Sequence, residues 1–221
     1  MRTALITIFS VLLIDQWLKL WIKSNFILGE IIASWGPLNI HFIENPGMAF
    51  GMTFGGDWGK ITLSLFRVVA VVFIGVVIRN LIENKAHKGL IIAISLIFTG
   101  ALGNILDSAF YGILFSKSNG YIADFLPPEG GYAPFMMGYV VDMIHFEFYY
   151  PAWMPFGLAG DEIFPPVFNI ADSAITGGVI LIILFNKTFF GDEKGDFSIF
   201  QRKDKVSSVK TTSPEDGMNN I

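Results

Sequence analysis

Four stretches of the chain are apolar and long enough to cross a bilayer as helices, since about 20 apolar residues match the hydrocarbon core. They cover residues 3–22, 61–78, 90–109 and 167–190. Polar residues interrupt the first stretch and no small-residue cleavage site follows it, so we interpret it as a retained span rather than a signal peptide. The pattern predicts an all-α polytopic membrane protein with four transmembrane helices.

The distribution of basic residues predicts the side of the membrane on which each loop lies, because Lys and Arg concentrate in cytoplasmic loops. Basic residues lie before the first span, between spans two and three, and after span four. The long segments 24–59 and 110–166 contain Lys117 as their single basic residue. Both termini are therefore expected in the cytoplasm, with the two long loops outside.

The outer loops and the tail differ in character. Residues 38–43 alternate weakly between apolar and polar side chains, and Asn45-Pro46-Gly47 is typical of a turn. We therefore expect a small extracytoplasmic loop domain that contains β-structure. The second loop is aromatic and rich in Gly and Pro, and loops of that length are usually functional. Residues 191–221 are polar with mixed charge, which predicts a disordered cytoplasmic tail.

Composition supports the membrane assignment and excludes several functions. Of 221 residues, 52% are hydrophobic and 15% charged, with a mean hydropathy of +0.55. Fifteen basic against nineteen acidic residues give a net charge of -4, so nucleic acid is not an expected partner. The sequence contains no cysteine, which excludes disulfides, thiolate metal sites and a cysteine nucleophile.

Several polar and ionisable residues interrupt the apolar spans, where such residues are costly and commonly functional. With the expected orientation, all of them fall in the outer half of the membrane, whereas an ion or proton pathway needs polar groups through its whole depth. This layer favours a site at the outer interface. Its members are Asp15, Lys19, Arg67, Asn104, Asp107, Asn169 and Asp172.

Spacing within this layer adds detail but leaves two interpretations open. Asp15 and Lys19 are four residues apart on one helix face and can neutralise each other, which is also the arrangement of a purely structural ion pair. Asn104 with Asp107 and Asn169 with Asp172 each place an amide and a carboxylate on one face. Each amide could hold its neighbouring carboxylate, or the polar groups could brace the helices against one another.

Two carboxylates at the outer face make acid–base chemistry possible, because close carboxylates do not both ionise readily and one can activate a water. Asp142, within an apolar run, and Asp172 are the candidates, although a structural or solvated Asp is the commoner case. Competing chemistries lack their motifs: H-E-x-x-H, G-x-S-x-G and nucleotide-binding glycine patterns are all missing. No metal or cofactor is expected.

In order and spacing, five segments resemble bacterial lipoprotein signal peptidase, also called signal peptidase II. Each segment is weakly specific alone, but five in order on four spans are strongly specific. They are Asp15-x-x-x-Lys19, Asn45-Pro46-Gly47-Met48-Ala49-Phe50, Gly100-Ala101-Leu102-Gly103-Asn104-Ile105-Leu106-Asp107, Val140-Val141-Asp142 and Phe168-Asn169-Ile170-Ala171-Asp172-Ser173.

This resemblance implies an intramembrane aspartyl protease of the bacterial inner membrane that removes signal peptides from diacylglyceryl-modified prolipoproteins, cutting before the lipidated cysteine. It implies that Asp142 and Asp172 are the catalytic pair. Expected partners are prolipoproteins and membrane lipids, and we expect a monomer. The residues expected to bind substrate or support the pair are Asn45, Gly47, Asn104, Asp107, Asn169, Asp15, Lys19 and Arg67.

The chain departs from the family pattern at Ser108, where members commonly carry Arg directly after the span-three Asp. A charge partner for Asp107 must then come from elsewhere, and Arg67 is the candidate at similar depth. Two rival functions remain: a carrier or scaffold in which the aspartates only brace helices, and an aspartyl protease that cuts unlipidated peptides.

Overall fold

The computed structural model describes residues 1–46 and 56–191. Within them the chain forms long apolar helices and a small three-stranded sheet. The helices are α1 (Arg2–Asn25), α2 (Gly56–Glu83), α3 (Lys88–Leu106), a π-helical turn (Asp107–Tyr111), α4 (Gly112–Leu114), α5 (Ile170–Leu184) and α6 (Asn186–Phe190). The strands are β1 (Ile31–Trp35), β2 (Leu38–Asn45) and β3 (Val140–Phe146).

Three of these helical segments are long and apolar enough to cross a membrane: 2–25, 64–83 and 88–114. The fourth apolar helix, α5, has 15 residues. Large apolar side chains on α1, α2 and α5 are exposed, as expected for helices that face lipid. The structure therefore supports a membrane protein with long apolar helices and a small sheet.

Helix α3 is the central element and packs against α1, α2 and α5. Half of the residues in its 18-residue apolar stretch are buried, whereas the buried share of the corresponding stretch is 17% in α1 and 11% in α2. Glycines permit the close approach of α5: a Cβ at Gly100 would lie 2.1 Å from the carbonyl oxygen of Ala171, and one at Gly178 would lie 2.5 Å from that of Ala93. The α3–α5 interface is thus set by direct backbone contact.

The sheet lies at one end of the helices, with strand order β1-β2-β3 and antiparallel pairing throughout. Gly36, at a φ of +65°, forms the tight turn between β1 and β2, a conformation that favours glycine. The predicted strand at 38–43 is confirmed and extends to Asn45. Strands β1 and β3 were not predicted, because β3 is an apolar run that periodicity alone does not distinguish from a buried loop or helix.

Two helices have bounds that differ from those of the predicted spans. Span three was expected to end at residue 109, but helical structure continues through the π turn and α4 to Leu114. Span four was expected to begin at 167, but Phe168 pairs with Ile144 next to β3, and Asn169 caps α5 so that the helix begins at Ile170. Both differences arise from contacts with the sheet and loop, and a hydropathy pattern does not reveal such contacts.

Among the described residues, two clusters of buried apolar side chains stabilise the fold. The cluster beneath the sheet joins α1, the π turn and the strands through Ile22, Phe42, Tyr111, Phe115, Ala123, Val141 and Met143. The cluster at the opposite end joins α1, α2 and α3 through Ala4, Ile78, Leu81, Leu90 and Ile91. The predicted disordered tail lies outside the described residues from position 192 onward.

Candidate active site

Three buried charged side chains, carried by α1 and the π turn, form a triad that underlies the site. The Lys19 ammonium lies 3.0 Å from an Asp15 carboxylate oxygen and 2.8 Å from one of Asp107. All three side chains are almost fully buried. The predicted Asp15–Lys19 pair is therefore present, and Lys19 also forms an ion pair with Asp107. Two carboxylates face one ammonium, so the triad has a net negative charge when all three groups are ionised.

Gln16, which the sequence analysis did not single out, connects the two carboxylates of the triad. Its Nε2 donates to Asp107 Oδ1 at 2.8 Å and lies 3.1 Å from Asp15 Oδ2. Its Oε1 accepts a bond from the Tyr111 hydroxyl at 3.4 Å. The available signal was a neutral polar residue directly after Asp15 in the first apolar stretch.

The triad also binds the backbone immediately before each candidate catalytic residue. The N–H of Val141 donates to Asp107 Oδ2 at 3.3 Å, and the N–H of Ala171 donates to Asp15 Oδ1 at 2.9 Å. Val141 precedes Asp142, and Ala171 precedes Asp172. The buried carboxylates thus fix the backbone next to both aspartates.

Asn169 connects the two aspartates. Its Nδ2 donates to Asp142 Oδ1 at 2.7 Å, and its Oδ1 accepts the N–H of Asp172 at 2.9 Å. The Asp172 carboxylate in turn accepts the N–H of Asn169 at 3.3 Å, which completes a capping box at the start of α5. One residue therefore holds Asp142 on the strand and Asp172 on the helix in a single network.

The side-chain amides of the site donate hydrogen bonds to carboxylates on other elements. Asn104 Nδ2 donates to Asp172 Oδ1 at 2.8 Å, and its Oδ1 accepts from Lys19 at 3.0 Å. Asn45, at the end of β2, donates to Asp142 Oδ2 at 3.1 Å. Of the two arrangements left open by the spacing, Asn104 follows the one that joins helices, because it contacts α5 rather than its neighbour Asp107.

Burial and a like charge both disfavour ionisation of Asp142. Burial, followed by the charge of Asp172, raises the pKa of Asp142 to about 7, although hydrogen bonds from Asn45 and Asn169 act in the opposite direction. The two carboxyl groups therefore interact electrostatically, and Asp142 can hold a proton near neutral pH.

The remaining predicted residues fall at the edge of the described site or outside it. The Arg67 guanidinium interacts electrostatically with Asp172, Asp142 and Asp107, in decreasing order. Gly47 lies outside the described residues. In the described ranges, no group of three or more His, Cys, Asp or Glu side chains has the arrangement needed to hold a metal ion.

Comparison with known proteins identifies the family. The family profile for signal peptidase (SPase) II matches residues 7–188. A lipoprotein signal peptidase of Porphyromonas gingivalis is 44% identical over 78% of this chain and 77% of its own length. One from Amoebophilus asiaticus is 35% identical over 91% of this chain and 81% of its own length.

A similarity to solved structures agrees with this match. A structure described as a bacterial membrane enzyme, at 26% identity, superposes with a TM-score of 0.55 and covers 89% of this chain and 94% of its own. A second structure with the same description has a TM-score of 0.53 and covers 87% of this chain and 96% of its own. The chain therefore belongs to the signal peptidase II family and is a membrane peptidase that acts in the removal of lipoprotein signal peptides.

Proposed function

We propose that the chain is an intramembrane aspartyl endopeptidase that removes signal peptides from diacylglyceryl-modified prolipoproteins and cuts directly before the lipidated cysteine. The observation that carries the mechanism is the joint hydrogen bonding of Asp142 and Asp172 to Asn169. Two carboxyl groups held together and sharing one proton provide an acid and a base for hydrolysis of an amide.

In this proposal Asp172 is the base and Asp142 the acid. Asp172 lies in the first turn of α5, where the helix dipole stabilises negative charge. Asp142 is buried on β3, and its raised pKa leaves it protonated up to about pH 7. Asp172 takes a proton from a water, whose oxygen bonds to the scissile carbonyl carbon. Asp142 then gives its proton to the departing nitrogen as the carbon–nitrogen bond breaks.

The surrounding amides support this chemistry without adding charge. Asn104 and Asn169 hold the carboxylates, and Asn45 contacts Asp142 from the strand side. Because Asn45 ends β2 beside the dyad, its amide is also suited to bind the substrate backbone or a developing oxyanion. Arg67, whose charge interacts with both aspartates, is proposed to support the same region.

The proposed setting is the bacterial inner membrane, with four crossings, both termini in the cytoplasm and the dyad near the outer face. The fourth crossing combines α5 with α6, which together span residues 170–190. The positions of the basic residues support this orientation. Exposed apolar faces on α1 and α2 allow the acyl chains of the substrate to remain in lipid, and we propose a monomer as the active form.

The first test is cleavage of a purified diacylglyceryl-prolipoprotein in detergent by wild type and by Asp142→Asn and Asp172→Asn. Both variants are expected to lose about 10³-fold or more in kcat while remaining folded, because each removes a proton-transfer group. The matched control is Asp124→Asn, an exposed aspartate in the second loop, which should retain wild-type activity.

Three outcomes would contradict parts of the proposal. Near-normal activity in either dyad variant would overturn the two-aspartate mechanism. Equal cleavage of lipidated and unlipidated precursors would overturn the proposed substrate specificity. Failure of wild type on a lipidated precursor that another signal peptidase II cuts would leave helix bracing, and hence a non-enzymatic role, as the better account.

A further inference from the structure

Lys23 is a fully buried lysine outside the proposed dyad. It follows Asp15 and Lys19 at a spacing of four residues, so the three side chains form one row along α1 with about 6 Å between successive members. Asp15 binds the start of α5, and Lys19 binds the π turn. Lys23, the third member of the row, binds β2 through Glu44.

The Lys23 ammonium is enclosed by groups from β2 and from the outer loop after α4. It forms an ion pair with Glu44 and lies 2.9 Å from Ser118 Oγ, which itself lies 2.8 Å from the Glu44 carboxylate. The rings of Phe115 and Tyr132 each have their centroids 5.2 Å from the ammonium nitrogen. We call these four residues the Lys23 cage. An ion pair, a hydroxyl and two aromatic faces satisfy the buried charge.

The Lys23 cage lies beside the strand ends that carry the site. Glu44 directly precedes Asn45, and these two residues pair with Val141 and Val140 across the β2–β3 ladder. On the opposite side, the Tyr132 hydroxyl accepts the N–H of Tyr139 at 2.6 Å, just before β3 begins. The cage thus restrains the end of β2 and the start of β3 from two directions.

We propose that Lys23 is a positioning residue that keeps the Asn45 amide on Asp142. Lys23 acts through Glu44, and Glu44 fixes the strand end from which Asn45 donates its 3.1 Å hydrogen bond to Asp142. This inference rests on the proposed function. It gives the three members of the α1 row a common role, since Asp15, Lys19 and Lys23 hold, respectively, the backbone before Asp172, the π turn and the end of β2.

Loss of the ammonium should displace Asn45. Without Lys23, the carboxylate of Glu44 remains buried with no counter-charge, so it moves toward water and takes the adjoining strand end with it. A displacement of about 1 Å at a catalytic contact can lower the rate by about 100-fold. We therefore expect Lys23→Met to lower kcat by about 10- to 100-fold, with KM changed by less than about twofold.

The test is a double-mutant cycle with Asn45→Ala, measured as cleavage of diacylglyceryl-prolipoprotein in detergent. If Lys23 acts through Asn45, the double variant loses no more kcat than Asn45→Ala alone, within about threefold. If the two losses multiply, or if KM rather than kcat carries the Lys23→Met effect, the inference is wrong. Arg79→Met, which breaks an exposed ion pair with Glu83, is the control and should be unaffected.

A second variant covers the case in which Lys23→Met does not fold. Glu44→Gln removes the carboxylate and preserves side-chain volume, and it should give the same non-additive pattern with Asn45→Ala. Multiplying losses in this cycle would equally overturn the inference. Cleavage by wild type distinguishes failure of the proposed function from failure of this inference. An inactive wild type contradicts the proposed function. An active wild type whose variant losses multiply contradicts only the role of Lys23.

Discussion

At the residue scale, the groups around Asp142 have opposing effects on its pKa. Burial and the charge of Asp172 oppose its ionisation, whereas the amides of Asn45 and Asn169 favour it. The outcome is a pKa of about 7, within the range where an acid that must hold and release a proton is most effective. The neutral amides therefore orient the carboxyl group and also limit how far burial and Asp172 raise its pKa.

This balance predicts a descending alkaline limb in the pH profile. The mechanism needs one protonated and one ionised carboxyl group, so kcat should fall about tenfold per pH unit once pH exceeds the Asp142 pKa of about 7. Asn45→Ala removes a hydrogen bond that favours the ionised form, so its alkaline limb should shift to higher pH. The measurement is kcat at saturating substrate from about pH 5 to about pH 9.

Asn104→Ala provides the comparison for this shift, because Asn104 bonds to Asp172 rather than to Asp142. It should lower kcat without reproducing the alkaline shift of Asn45→Ala. An unchanged limb in Asn45→Ala, or a limb shifted to lower pH, would show that Asp142 does not carry the titrating proton.

At the element scale, the α3–α5 interface decides where Asp172 lies. The Gly100 backbone lies against the carbonyl of Ala171, the residue before Asp172, so any side chain at position 100 pushes directly on the start of α5. Gly103 similarly faces the Asp15 carboxylate, to which a Cβ would approach within 2.9 Å. The glycines of α3 are therefore part of the geometry of the dyad as well as of the packing.

Gly100→Ala should damage both stability and activity. A Cβ 2.1 Å from a backbone carbonyl oxygen cannot be accommodated by rotating a side chain, so α5 must shift. We expect a loss of about 1–3 kcal/mol in the free energy of unfolding and a fall in kcat of about 100-fold if α5 moves by about 1 Å. Thermal unfolding in detergent and cleavage rates measure the two effects.

Gly177→Ala is the matched control, because Gly177 lies in α5, the helix that Gly100 contacts, and an added Cβ at position 177 meets no atom within 4 Å. It should leave unfolding and cleavage unchanged. Equal behaviour of the two variants would show that the contact at Gly100 does not constrain the dyad.

At the scale of the whole molecule, charge and hydropathy are arranged asymmetrically. The sheet and the polar network lie near the outer ends of the predicted spans, and basic residues concentrate at the other end. This asymmetry is the basis of the proposed orientation, in which the dyad lies near the outer face. The absence of cysteine in the sequence makes that orientation accessible to single-cysteine labelling.

The prediction concerns two exposed positions at opposite ends of the molecule. Asn119→Cys, in the second outer loop, should react with a membrane-impermeant maleimide in intact cells. Asn84→Cys, between α2 and α3, should react only after the membrane is permeabilised. Both side chains are exposed, so burial does not account for a difference. The reverse labelling pattern would place the loops on the opposite sides and contradict the proposed topology.

The sequence by itself determined the membrane class and predicted the spans and the polar layer, because long apolar runs and their interruptions are local properties. Helical spacing also identified the Asp15–Lys19 pair, which the structure confirms. The five-segment resemblance indicated the family, in agreement with the comparisons. These features follow from residues close together in the chain, so they do not depend on how the helices pack.

Only the tertiary structure decided which polar groups meet. Asn104 bonds to Asp172 on another helix, and Asn169 reaches Asp142 on a strand that sequence periodicity did not reveal. The ion pair of Lys19 with Asp107 is likewise a contact between distant segments. Spacing along a helix specifies the face on which a side chain lies but not its partner on another element. Partner choice is fixed by the glycine-mediated approach of α3 and α5 and by the β2–β3 register.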